Sequence, residues 1–202
     1  MIHAREQNRP DLVTSRAAWR CLQPFIDPGR LVFLDETCLK TDLTTRYGRA
    51  PSDQRCTDHA PAGHWSATTL LTAIRLGGVI EAATLTCSGA MTGDIFEDYA
   101  EFMLKEALRP GDIVVMDNLS CHKRAEALSS IEAAGARVWF LPAYSPDLNP
   151  IELAFSKIKQ ALRRAAARSV EALIAAAVAA MRSVTARDIC GYFAAAGYAV
   201  GG

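Results

Sequence analysis

The chain has 202 residues, half of them hydrophobic, and its 22 basic side chains are matched by 22 acidic ones, so the formal charge is zero. That length suits one domain with a substantial core, and the charge balance excludes a strongly basic, free-standing nucleic-acid binder; such binding would have to come from local patches or from another part. No run approaches the ~18 apolar residues of a membrane helix and no signal-peptide pattern opens the chain, while six scattered cysteines without a CxxC pair argue against a zinc site or a disulfide framework and suit a reducing cytoplasm.

Residues 1 to 30 read as a lead-in, with a short helix from Asp11 to Leu22 that Pro24 and the Asp27-Pro28-Gly29 turn bring to an end. The apolar run Leu31 to Leu34 predicts a buried strand that delivers Asp35 at its end. A polar, irregular stretch follows from Thr37 to Gly63, long enough to suggest a functional or mobile loop. Ser66 to Leu76 and Val79 to Thr86 predict a hairpin about Gly77-Gly78. Thr92 caps a helix that Arg109-Pro110-Gly111 stops. Ile113 to Met116 predicts a short strand ending in Asp117, His122 to Ala134 a helix closed by Gly135, and Arg137 to Leu141 a further strand. Helices follow at about 150 to 166, 169 to 182 and 185 to 196. Three strands in succession and then alternation predict a mixed sheet with helices on its faces, an α/β fold.

The most informative stretch is Leu141 to Arg164. Pro142, Pro146 and Pro150 keep Ala143 to Asn149 out of a helix. Asn149 suits an N-cap, Pro150 the first helical position, and Glu152 then falls at the third. Ile151, Phe155, Ile158 and Leu162 form an apolar stripe, while Glu152, Ser156, Lys159 and Arg163 share a neighbouring face. Alone, Asn-x-x-Glu reads first as a capping box. The pattern sharpens beside Asp35 and Asp117, each set against an apolar strand, where sites of α/β sheets gather. Three acids from separate elements are expected to converge at one sheet edge. With no basic run beside Asp35 or Asp117, a divalent cation held by oxygen ligands would balance them.

At these residues the chain resembles the catalytic domain of mariner-like DDE transposases, in the bacterial insertion-sequence branch of the "six-thirty" type. The resemblance is carried by FLDET (33–37), YGRAP (47–51), GHWSATTLL (63–71), RPGDIVVMDNLSCHK (109–123), FLPAYSPDLNPIELAFSKIK (140–159) and YFAAAGY (192–198). It covers about 31 to 200, the expected catalytic domain, and leaves 34 residues between Asp117 and Glu152 (118 to 151), which is the family spacing. The resemblance implies an RNase H-like fold in which Asp35, Asp117 and Glu152 are the catalytic, metal-binding triad for two Mg2+ or Mn2+ ions. It implies DNA strand cleavage at insertion-sequence ends followed by strand transfer, with element ends and target DNA as partners and a homodimer as the active complex. It further implies a helix-turn-helix part that reads those ends, expected either from an upstream reading frame of a split gene or as lost from a truncated relic. Arg49 departs from the family pattern, which has Trp in that motif. Two rival functions are an RNase H-like nuclease without strand transfer and a non-catalytic transposase remnant.

Four further residues are candidates for substrate or DNA contact. Asn118 follows Asp117 directly and reads either as a turn former or as a group orienting water or the scissile phosphate. His122 reads as structural, or as a phosphate contact near the metals. Lys159 and Arg163 belong to a run of five bases without an acid between 153 and 168, the remainder being Lys157, Arg164 and Arg168. Glu36 is expected to point away from Asp35 across the sheet. Asp147 is expected to be a turn residue and Trp65 a core residue.

Overall fold

A computed structural model describes residues 5–45, 47–57, 59–61 and 63–200. Its centre is a five-stranded sheet of order β3-β2-β1-β4-β5. The strands are β1 (Leu31–Lys40), β2 (Ala67–Arg75), β3 (Gly78–Ser88), β4 (Ile113–Met116) and β5 (Arg137–Phe140). The β1–β2 and β2–β3 pairs are antiparallel, while β1–β4 and β4–β5 are parallel. The mixed sheet expected from the element order is present.

Helices cover both faces. On one side lie α1 (Pro10–Leu22), α5 (Ile151–Ala165), α6 (Val170–Arg182) and α7 (Ala186–Ala195). On the other lie α2 (Gly93–Tyr99), α3 (Lys105–Ala107) and α4 (Ala125–Ala133). A π-helical turn, Ala100–Leu104, joins α2 to α3 without a break. Strand parity sorts the core between the faces. Leu31, Phe33 and Val115 pack towards α5 and α7, with Ile158 and Phe193. Val32, Leu34, Val114 and Met116 pack towards α2 and α4, with Phe96 and Ile131.

Two expectations change. β1 does not stop at Asp35 but runs on to Lys40, because Asp35 to Lys40 pair with Thr72 back to Ala67 of β2. Asp35 therefore sits mid-strand, and the irregular stretch starts only after Lys40. The segment expected to be one helix from His122 is split: Ser120–Lys123 is a 3-10 turn, and α4 starts at Ala125.

α1 is tied to the turn that precedes α5. Arg16 bonds both carboxylate oxygens of Asp147, at 2.9 and 2.7 Å, and Ser145 Oγ at 2.7 Å; Arg20 adds a third bond to Asp147, at 3.0 Å. Trp19 Nε1 donates to the Tyr198 hydroxyl, which donates to the Leu148 carbonyl. Tyr144, at the tip of this turn, holds a left-handed φ of 55° that side chains other than glycine seldom adopt. Gln7 Nε2 donates to its carbonyl at 2.6 Å. Among the described residues no helix is long and apolar enough to cross a membrane.

Candidate active site

The parallel register sets Phe33 against Val115, which places Asp35 and Asp117 at one level on adjacent strands. Asp35 has the parity of Phe33 and so faces the α5 side, while Asp117 follows β4 directly and lines the same cleft. The turn from Leu141 to Pro150 then brings the start of α5 over them. Asp35, Asp117, Asn118, Asn149 and Glu152 line one cleft of about 460 Å3, together with Leu141 to Pro146.

Asp35 is 9% exposed. Its Oδ1 accepts from the Glu36 N–H and its Oδ2 from Asn149 Nδ2, each at 2.8 Å. Burial pushes its carboxyl up to about 7, reinforced by the charges of Glu152, Asp117 and Glu36 and opposed by the Glu36 N–H. Glu152 is raised as well, first by the cleft walls that desolvate it and then by Asp117, while Lys159 pulls it down. These mutual effects place the acids within electrostatic reach of one another.

The capping role is not realised. Asn149 turns its amide to Asp35, and no side chain caps α5, whose N-cap is Pro150. Glu152 thus stands at the second helical position, free of any box. Asn149, expected as the cap of α5, is instead the partner of Asp35, 114 residues away, a contact that no local sequence pattern signals. Asn149 Oδ1 is buried without a hydrogen-bond partner among the described residues. An oxygen-only set of three carboxylates with a spare amide oxygen fits a hard divalent cation such as Mg2+ or Mn2+.

Asn118 is exposed at the cleft margin. His122 presents no atom to a passing phosphate, because it is fully buried. Its Nδ1 lies 2.8 Å from Asp117 Oδ1 and its Nε2 3.0 Å from Glu36 Oε2. Burial alone would depress this imidazole; the two carboxylates outweigh burial and raise it to about 9. Glu36 does point away from Asp35, as strand parity requires, but it ends on His122.

The basic run divides by use. Lys157 pairs with Asp188 at 2.6 Å, and Arg168 donates to the Thr41 and Leu43 carbonyls. Lys159 lies close enough to act on Glu152, and Arg163 lines a neighbouring hollow of about 420 Å3 with Arg164, Tyr47, Thr45 and Gln160. Trp65 is 56% exposed rather than core, with Lys40 Nζ 5.5 Å above its ring. Asp147 is a turn residue and also the anchor for Arg16 and Arg20.

A family model described as DDE superfamily endonuclease matches residues 30–174. The chain belongs to this DDE endonuclease family. Among solved structures, the Mos1 mariner paired-end complex with Mn aligns at a TM-score of 0.70 and 18% identity, over 97% of this chain and 62% of that one. The catalytic domain of Mos1 mariner transposase aligns at 0.53 and 16%, over 98% and 94%. The Mos1 paired-end complex with left transposon end aligns at 0.62 and 18%, over 95% and 56%. These likenesses establish the RNase H-like fold for this DDE domain. The chain spans 56%, 63% and 62% of three of the longer Mos1 chains. A comparison with curated proteins gives no match.

Proposed function

We propose that this DDE domain is the catalytic part of a transposase of the bacterial insertion-sequence branch, cutting DNA at element ends and joining the ends to a target. The observation that carries the reading is the convergence of Asp35, Asp117 and Glu152 in one cleft, from three separate elements, with oxygen donors only. Bound there, two Mg2+ or Mn2+ ions supply an activated oxygen nucleophile and charge stabilisation of the leaving oxygen. Asp35 and Asp117 present carboxylates from a rigid parallel strand pair, and Glu152 closes the set from the start of α5. Asn149 keeps the Asp35 carboxylate in one orientation through its amide. Asn118, at the margin, orients the scissile phosphate. Lys159 and Arg163 continue from Glu152 along α5 and meet the phosphates of the DNA leading into the cleft.

The Mos1 structures include paired-end complexes with Mn and with Mg and a strand transfer complex, and they support DNA ends as the substrate and divalent cations as the cofactor here. By the same reading the active species is a homodimer in the cytoplasm at the DNA. End recognition comes from a helix-turn-helix part encoded upstream. The test is incubation of the protein, supplied with its end-binding part, with a precut element end and a target plasmid in Mn2+. Joined product supports the transposase reading. Nicking without joining leaves a nuclease, and neither reaction at any metal concentration contradicts the proposal.

A further inference from the structure

Two side chains behind Asp117, Glu36 and His122, are not used in the scheme above. His122 sits in the 3-10 turn after β4, wholly out of solvent, with its ring 4.6 Å from that of Phe96. Phe96 is itself fully buried, so the imidazole is held in place by packing as well as by its polar neighbours. Asp117 Oδ1 accepts from the Leu119 N–H at 3.1 Å and faces His122 Nδ1 at 2.8 Å. Oδ2 makes no hydrogen bond among the described residues. On the other side of the ring, Glu36 Oε2 lies 3.0 Å from Nε2. Neither atom has another partner among the described residues, and the approach is an ion pair rather than an aligned hydrogen bond. Glu36 comes from β1, one residue beyond Asp35, with its side chain on the opposite face.

We infer that Glu36 and His122 form a positioning pair that fixes the Asp117 carboxylate, holding Oδ1 so that Oδ2 is offered to the cleft. A carboxylate at the end of a four-residue strand, 37% exposed, has rotational freedom of its own. A donor clamped between a second carboxylate and an aromatic ring removes that freedom. Groups of this kind, one shell outside the ligands, orient them and tune the affinity of the site. The sheet itself makes the linkage: Asp35 enters the cleft directly, while its neighbour Glu36 reaches Asp117 from behind through His122. This inference rests on the reading that Asp117 holds a divalent cation.

The experiment measures free Mn2+ by electron paramagnetic resonance during titration of the full chain, with thermal melts as the check on folding. The variants are Glu36→Ala, His122→Asn, His122→Gln and, as reference, Asp117→Asn. The amide of Asn places an N–H near the position of Nδ1, whereas that of Gln reaches towards Nε2 and leaves Asp117 without its donor. The expected result is an Mn2+ Kd about 10-fold weaker for Glu36→Ala and His122→Gln, with His122→Asn within about threefold of wild type. A purely structural role would lower the melting midpoints and leave the Kd of the folded chain unchanged. Equal affinity in Glu36→Ala and both His122 variants overturns the inference. If Glu36→Ala does not fold, the contrast between the two His122 variants decides. Unchanged Mn2+ binding in Asp117→Asn, or none in wild type, would instead remove the cation reading on which the pair depends.

Discussion

The Asp35 carboxylate is held against its burial. Its carboxyl is raised to about 7 by burial and by neighbouring acids, well above an ordinary value of about 3.9. The folded chain therefore holds this proton more tightly than the unfolded chain. The resulting stability is fully present below about pH 4 and is lost as pH rises through about 7. His122, raised to about 9, adds stability below about 6.5 that is lost as pH rises through about 9. Asparagine at 35 keeps an acceptor for Asn149 and carries no charge. In EDTA, Asp35→Asn should melt close to wild type at pH 4.5 and clearly above it at pH 8, by on the order of 2–4 kcal/mol at most. A gap of the same size at both pH values would contradict the assignment. Saturating Mn2+ should reverse the order, because the cation stabilises only the carboxylate form.

The three acids were legible because each stands against an apolar run or a proline-fixed helix start, features that are local in sequence. Asn149, Glu36 and His122 were not legible in the same way. Their partners lie 114, 86 and 5 residues away, and the nearest of these depends on a 3-10 turn that doubles back on β4. Local pattern supplies no register for such contacts.

At the scale of elements, the turn from Ala143 to Asn149 carries the site and is held from outside. Its tip is strained at Tyr144, which costs of order 1–3 kcal/mol. Arg16 and Arg20 fasten it through Asp147, and Tyr198 fastens it through Leu148. Arg16 and Asp147 side chains are 11% and 28% exposed, so this bidentate pair is worth more than a surface ion pair. Arg16→Ala should cost roughly 1–3 kcal/mol, since it leaves Asp147 half-paired. It should also speed amide exchange in 144–149 ahead of the rest of the sheet. Exchange that rises uniformly, or not at all in that turn, would show α1 to be passive. β1 beyond Asp35 illustrates the limit of pattern reading at this scale. Glu36 to Lys40 lacks a clean apolar alternation and gains strand structure from β2, more than 25 residues on.

For the whole molecule, zero net charge means weak long-range attraction to a duplex. Lys157 and Arg168 are already engaged, which leaves Lys159, Arg163 and Arg164 as the basic stripe on α5. Binding of the chain to DNA should therefore be weak and indifferent to sequence, with a slope of log K on log salt of about −2 to −4. Lys159→Ala with Arg163→Ala should flatten that slope equally for a terminal repeat and a scrambled duplex. Fluorescence anisotropy at several salt concentrations checks this. Strong preference for the repeat by these 202 residues would place end recognition within the domain.

The mixed sheet and its helical faces were predictable from element order, and the DDE assignment from long motifs. We propose that the carboxylates of Asp35 on β1, Asp117 just beyond β4 and Glu152 on α5 make one cation centre. Binding to the native state alone adds roughly 2.7 kcal/mol at a hundredfold excess over Kd, so Mn2+ should also raise the melting midpoint. The most direct measurement is isothermal titration of Mn2+ into wild type, Asp35→Asn, Asp117→Asn and Glu152→Gln, each shown by melting to be folded. The account predicts saturable binding by wild type and affinity at least about 10-fold weaker in every variant, Glu152→Gln included. Wild-type affinity in Glu152→Gln would contradict a shared site and return that residue to the surface of α5.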